Sequence, residues 1–441
     1  MLLWLSLGLL GQSLSAQPFS VRENAVPAAA GFSPERLQRL DQFMQRYVAE
    51  QKQVGMIGFI SRNGQIVYYK AFGQNGPNKD QPLKRDAIFR IASQTKAITS
   101  LAVLMLYEEG RFLLDDPISA YIPAFKNPVV LDKFNEKDSS YTTKPAQREI
   151  TIRNLLTHTS GISYTTIGTR EANAIYAKTN IPSGIGTPFF SLSASVNALA
   201  KLPLMHNPGE RFTYSLSTDV LGRLVEIVSG QTLDQFFRSR IFEPLGMSDT
   251  YFYLPPAKQG RLATLYTEDK QRQLLPMPTQ GNQSPDYPNQ AGQYFSGGAG
   301  LSSTAQDYAI FLQMLLNGGQ YNGKVLLAPA TVRMMLSNQI GSLNIGDRKF
   351  SLGFGLATEQ TAARLPTPEG TFDWGGFFGT NYWADPTTGV IGIVMTQKVP
   401  NSYGDLNDKF KALVYQALVG TVAPGTSAPA GTAAVSTGPK K

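Results

Sequence analysis

Ser93-Gln94-Thr95-Lys96 is the stretch whose residue types and spacing most directly suggest covalent chemistry. Residues three apart on a helix are neighbours, so an amine at position 96 can reach a hydroxyl at position 93. A serine in a helix's first turn also sets its own N–H at the positive end of the helix, where a developing oxyanion is stabilised. Lysine at its ordinary pKa of about 10.4 is a poor base, so the pairing calls for burial or a nearby cation that favours the neutral amine. The bare pattern is weak, because a chain of this length and ordinary composition holds about one S-x-x-K by chance. Its place at the start of an apolar helix, where a lysine has little structural purpose, gives it weight.

Other chemistries have less to work with. The chain has no cysteine, which removes disulfides, thiolate nucleophiles and thiolate metal ligands together. Its two histidines, His158 and His206, are too few for a multi-histidine metal centre. No G-x-S-x-G occurs, so nothing points to an α/β-hydrolase elbow. His158 lies in Leu155-Leu156-Thr157-His158-Thr159-Ser160-Gly161, which reads as a helix end and turn whose imidazole bonds nearby backbone; His206 reads as a loop residue before Pro208-Gly209. No metal or organic cofactor is implied. The net charge is +8, but the cations are scattered without a long basic run, so the expectation is a solvated surface and no nucleic-acid partner.

The surrounding elements must hold the Ser93 turn in place. A helix from about Pro34 to Gln51 is capped by Ser33, with Leu37, Leu40, Met44, Tyr47 and Val48 on one face. Gly55–Ser61 and Gln65–Ala71 read as a hairpin around Asn63-Gly64. The apolar helix opened by Ser93 runs through Ile98, Leu101, Leu104 and Met105 to Gly110. Between 116 and 290 short helical pieces (near 151–158, 217–229 and 232–241) alternate with polar loops, among them the charged stretch Lys126 to Arg148. Regular structure returns with a helix at 304–317, where Thr304 and Asp307 are spaced like a capping box. Apolar runs at Phe350–Ala357, Gly370–Trp374 and Val390–Gln397 and a closing helix at about 405–418 follow. Asp219, five residues after Tyr214, could orient a site group but reads first as a helix-start carboxylate facing the dipole, and Asp115-Asp116-Pro117 and Asp385-Pro386 read as turns.

Phe89-Arg90-Ile91-Ala92-Ser93-Gln94-Thr95-Lys96 resembles the nucleophile motif of the serine β-lactamase and penicillin-binding-protein superfamily. Four further stretches match in order: Leu155 to Gly161, Pro208 to Ser215, Ser296 to Ser303, and Trp374-Gly375-Gly376 with Asp385-Pro386. The resemblance looks strongest to the class C-like branch that includes the family VIII carboxylesterases. It implies that Tyr214 supplies a phenol beside Ser93 and Lys96; a phenol next to an ammonium can ionise below its ordinary range and act as a base. Whether Tyr214 or Lys96 takes the serine proton stays open at this level. It also implies that the backbone N–H groups of Ser93 and Phe377 form the oxyanion hole.

One motif departs from the pattern. Where β-lactamases carry Lys-Thr-Gly, this chain has Trp374-Gly375-Gly376. Tryptophan offers a flat apolar wall and one N–H in place of a cation, while two glycines let a substrate approach the strand. The change favours neutral acyl esters over anionic β-lactams.

The expected fold is of mixed α/β (α+β) type, serine β-lactamase/transpeptidase-like, with a mainly antiparallel sheet flanked by helices. Residues 17–115 and 291–419 would build the α/β part, and 116–290 a mostly helical insertion, with the site in the cleft between them. Met1 to Ala16 reads as a signal-peptide core lacking a positive n-region, and 420–441 as a disordered tail. The expected protein is periplasmic or secreted, without stable membrane insertion, and acts on a small-molecule acyl ester. β-Lactamase, D-amino-acid peptidase or acyltransferase chemistry on the same nucleophile, or a non-catalytic homologue, are the alternatives.

Overall fold

The computed structural model describes residues 19–23, 25–280 and 284–420. The apolar start at 1–16 lies outside the described residues, as does the terminal segment from 421 onward. Gly420, the first residue assigned to that tail, donates its amide to the Gly31 carbonyl at 2.9 Å.

Both ends of the chain meet in one antiparallel eight-stranded sheet. Its order is Lys349–Phe350, Gly355–Leu356, Phe372–Gly375, Asn381–Asp385, Val390–Met395, Gly55–Arg62, Gln65–Asn75 and Gln81–Pro82. The early strand Gly55–Arg62 therefore pairs directly with the late strand Val390–Met395, Phe59 opposite Ile393. Asn63 and Gly64 turn the first hairpin with φ of +48° and +75°, the double left-handed turn that matches strand twist.

Both central strands are buried on their two faces, so they are apolar without alternation. One face is covered by the Pro34–Ala49 and Leu406–Ala417 helices, whose Leu40, Met44, Phe410 and Val414 pack with Ile60 and Val394. The other face meets the Ala305–Leu316 and Thr95–Glu108 helices in the main core. Thr95–Glu108 is buried at every residue from Thr95 to Leu106, an internal helix rather than an amphipathic one.

Between the two sheet-forming parts lie the short helices Ile152–Leu156, Arg170–Lys178, Leu192–Leu199, Ser217–Ser229 and Leu233–Phe237; the last two pack against Thr95–Glu108, and Ile152–Leu156 and Leu192–Leu199 pack against Ser217–Ser229. Three local expectations change. The charged stretch from Lys126 to Arg148 is not a loop but a hairpin of Val129–Phe134 and Tyr141–Pro145. Every residue of its second strand is exposed, so no apolar alternation marks it. Thr304 does cap its helix, accepting from Asp307 N at 3.1 Å, but the Asp307 carboxylate accepts from Asp249 N and Thr250 Oγ1 instead of closing a capping box. Asn381–Asp385, which no sequence pattern marked, is a sheet strand ending in the turn at Asp385-Pro386. No helix among the described residues is long and apolar enough to cross a membrane.

Candidate active site

Ser93 sits on a tight turn that the sheet and helix hold from both sides. Ile91 donates its amide to Leu301 O at 3.0 Å, and Ala92 adopts φ of +43°, a left-handed conformation costly for a residue with a side chain. A 3-10 turn at Ala92–Gln94 then feeds the Thr95–Glu108 helix, so Ser93 precedes that helix rather than opening it. Ser93 is half-buried between buried neighbours, its side chain at the junction of two cavities.

Lys96, one turn on, is buried, and its Nζ lies 3.3 Å from Ser93 Oγ. The same ammonium donates to Tyr164 OH at 2.8 Å and to the Gly298 carbonyl at 2.7 Å, and stands 4.7 Å from the centre of the Tyr214 ring. Burial opposes its charge, but Tyr164 and Tyr214 outweigh that and hold Lys96 above the ordinary lysine range. It is an ammonium at neutral pH, not the neutral amine that a lone lysine base would need.

The carbonyl at Gly298 reaches Lys96 because the Ser296–Gly300 segment threads between helices. A Cβ on Gly297 would meet Thr218 O at 2.5 Å, and one on Gly300 the Phe252 ring at 2.7 Å. On Gly298 it would lie 2.8 Å from Asp219 Oδ2 and 3.5 Å from Lys96 Nζ. Asp219 is therefore not a solvated helix-start carboxylate. It is buried behind the lysine, and burial pushes its carboxyl up to about 6 against the pull of Ser296 and Lys96.

Tyr214 enters on the segment before the Ser217–Ser229 helix, pinned by Thr213 N to His158 O at 2.7 Å. His158 packs its ring 4.9 Å from that of Tyr214, and its Nδ1 meets Ser215 Oγ at 3.0 Å, a side-chain partner in place of the expected backbone. Burial holds His158 well below the usual histidine range, so it is a neutral packing group. His206 bonds Asn207 O and Thr213 Oγ1, bracing the same segment. Tyr164 is the site residue that sequence reasoning missed. Burial raises its phenol pKa although the Lys96 charge pulls the other way. Its only signal was its closeness to the Leu155–Gly161 match.

Trp374, Gly375 and Gly376 close the other side. Trp374 Nε1 donates to Tyr214 OH at 3.2 Å, so the indole binds the phenol oxygen as well as forming a wall. A Cβ on Gly376 would lie 2.5 Å from Ile91 O and 2.2 Å from Thr380 Oγ1. This glycine is required by the protein's own backbone rather than by an approaching substrate, because it lets the strand end abut the Ser93 turn. Gly375 faces a cavity. Phe377 follows, exposed, on the wall of both cavities, and its amide has no partner among the described residues. Among the described residues no three His, Asp or Glu side chains converge as a metal cradle.

Residues 40–416 match the Beta-lactamase family. Esterase EstB of Burkholderia gladioli is 30% identical over 374 residues, covering 81% of this chain and 89% of that one. Lovastatin esterase of Penicillium rubens is 30% identical over 370 residues, covering 78% and 88%. Among solved structures, EstCE1, described as a hydrolase with promiscuous acyltransferase activity, has a TM-score of 0.73 at 26% identity, covering 88% of this chain and 99% of that one. The chain belongs to the beta-lactamase family, within the serine β-lactamase/penicillin-binding-protein superfamily, and is a serine hydrolase of family VIII esterase-like kind.

Proposed function

We propose that this serine hydrolase cleaves carboxylic esters through an acyl-enzyme on Ser93, with Lys96 and Tyr214 moving the proton. The observation that supports it is the convergence on Lys96 Nζ: Ser93 Oγ at 3.3 Å, Tyr164 OH at 2.8 Å, and the Tyr214 ring beneath it at 4.7 Å. Lys96 so placed sets a positive charge beside the Tyr214 ring, and Trp374 Nε1 donates to the phenol oxygen at 3.2 Å. Tyr214 then takes the Ser93 proton as Oγ bonds to the ester carbonyl carbon. The N–H groups of Ser93 and Phe377 receive the oxyanion; one such donor is worth about 10²–10³ in rate. Collapse expels the alkoxide, which takes the proton back from Tyr214. Water repeats the cycle: it gives its proton to Tyr214, attacks the acyl carbon, and Ser93 departs reprotonated.

The test compares p-nitrophenyl acetate and butyrate with a chromogenic cephalosporin, on native protein and Ser93→Ala. Ester turnover that vanishes in the variant, with the cephalosporin nearly untouched, is expected. Unchanged ester turnover in Ser93→Ala would remove the nucleophile assignment, and faster cephalosporin cleavage would remove the ester preference. The likeness to EstCE1 favours a second reading, transfer of the acyl group to an alcohol in place of water. Product ester that exceeds free acid when an alcohol is supplied would favour it.

A further inference from the structure

Arg90 lies three residues before Ser93 and is fully buried, yet the proton shuttle makes no use of it. Its guanidinium reaches three separate segments of the chain. Nη1 donates to Ala263 O at 2.7 Å and to Gln397 Oε1 at 3.1 Å. Nε donates to Pro285 O at 2.7 Å, and Nη2 to Asp286 Oδ1 at 3.0 Å. Gln397 answers from the sheet's end, its Nε2 donating to Arg90 O at 3.0 Å.

The same three segments build part of the site. Ser93 and Phe377 border two cavities, one of about 510 Å³ that holds Tyr214 and Trp374, and one of about 350 Å³ that holds Tyr164. The walls of the smaller lobe include Leu265, Pro285, Tyr287 and Val399. Each of these lies at, or within two residues of, a group that Arg90 binds. The group that returns a proton to the departing oxygen must be next to that oxygen. With Tyr214 in that role, the leaving alcohol lies in the larger lobe and the acyl chain in the smaller.

The walls of an empty lobe have no packing partners on the hollow side, so other contacts must hold them. Arg90 supplies these from a position that reaches neither cavity. A planar guanidinium carries five donors in a fixed fork and can satisfy oxygens in several directions, whereas an ammonium is a single point. Asp286, the one carboxylate among its partners, is 66% exposed while the Arg90 side chain is 0% exposed. A buried ion pair therefore does not account for placing this cation in the interior; the fastening of three segments does.

We infer that Arg90 is a positioning residue for acyl-chain recognition: anchored beside the Ser93 turn, it fixes three wall segments of the smaller lobe relative to the nucleophile. This rests on the ester reading above and sharpens its substrate class, to esters whose acyl chain is apolar and longer than acetyl.

Two isomeric esters test it on the full chain: ethyl hexanoate, with its long chain on the acyl side, and hexyl acetate, with it on the alcohol side. Native kcat/KM should favour ethyl hexanoate. The ratio of the two kcat/KM values is independent of how much protein is folded, so a merely structural loss leaves it unmoved. Arg90→Lys should lower that ratio by about tenfold, the scale of about two buried methylenes. Asp286→Ala, at an exposed side chain, removes one anchor and should lower it by about threefold. An unchanged ratio in both variants, or in Asp286→Ala where Arg90→Lys does not fold, would overturn the inference. A native preference for hexyl acetate would overturn it as well. Native protein that cleaves neither ester, or Ser93→Ala that still cleaves both, would instead overturn the ester reading beneath it.

Discussion

Lys96 and Lys398 are both buried, yet their surroundings differ in kind. Lys398 is paired with the Glu268 carboxylate and donates to Lys52 O at 2.6 Å, while Glu268 also accepts from Ser402. That cluster seals a seam: Tyr266 N meets Gln397 O at 2.9 Å and Val399 N meets Tyr266 O at 3.0 Å, tying the Tyr266–Glu268 strand to the sheet's end. Burial lowers the Lys398 pKa and Glu268 only partly restores it. Around Lys96 the hydrogen-bond partners are a phenol, a carbonyl and the Ser93 hydroxyl, and its pKa is raised. The Glu268 carboxylate, held below the usual range by Lys398 and Ser402 although burial opposes it, stays ionised at neutral pH. A phenol can give up its proton and take it back, so the same buried ammonium becomes part of a shuttle.

Replacing each lysine by methionine separates the two roles most sharply. Lys96→Met should lower kcat/KM by about 10³-fold or more, since it removes the charge that stands beside both Ser93 Oγ and the Tyr214 ring. Its melting temperature should fall less than that of Lys398→Met, because the lysine's direct hydrogen-bond partners there are neutral groups. Lys398→Met should do the reverse, costing about 3–5 kcal/mol by leaving Glu268 buried and unpaired. The folded fraction should keep near-native specific activity, and adding Glu268→Leu should recover most of the stability. Kinetics and urea melts on both variants give the answer. A Lys398→Met protein that is stable but inactive would break the contrast.

Asp219 sharpens it, as a carboxylate close to Lys96 that nonetheless lies behind the Gly298 backbone. Its pKa of about 6 stands above the ordinary 3.8, so the folded protein binds this proton more tightly than the unfolded chain does. Its contribution to stability is therefore greatest below the unfolded value and is lost as pH rises through the folded one. A shift of that size corresponds to about 3 kcal/mol at most. Asp219→Asn should match the native protein below pH ~4 and exceed it in stability by a margin that grows to pH ~7. Melts in which the variant instead loses ground to the native protein as pH rises would mean that Asp219 is stabilised as a carboxylate after all.

What the sequence could tell about this region follows from distance along the chain. Ser93 and Lys96 were legible because one helical turn joins them. Tyr164, 68 residues from Lys96, obeys no spacing rule and came to light only in the fold. Asp219 does stand in the first turn of its helix, as its pattern suggests, but its burial is not written in that pattern. The paired sheet ends were legible in the apolar runs at either end of the chain. The Asn381–Asp385 strand, apolar only at its centre, was not, and neither was the exposed hairpin over Val129–Pro145. Gly375-Gly376 was legible as a motif, but the reason for Gly376 is the Ile91 carbonyl, which only the closed cleft brings near.

The smallest expected effect concerns Trp374, where the Lys96 shuttle meets the substrate lobe. Its N–H reaches Tyr214 OH at 3.2 Å, a hydrogen bond that is stronger when the phenol is ionised. Trp374→Phe keeps an aromatic wall against Phe350 and removes only that donor. If the indole serves Tyr214, kcat/KM should fall by about tenfold through kcat, the scale of one hydrogen bond to a charged group. A change in KM alone, with kcat unmoved, would make Trp374 a wall for the substrate and no partner in the proton shuttle.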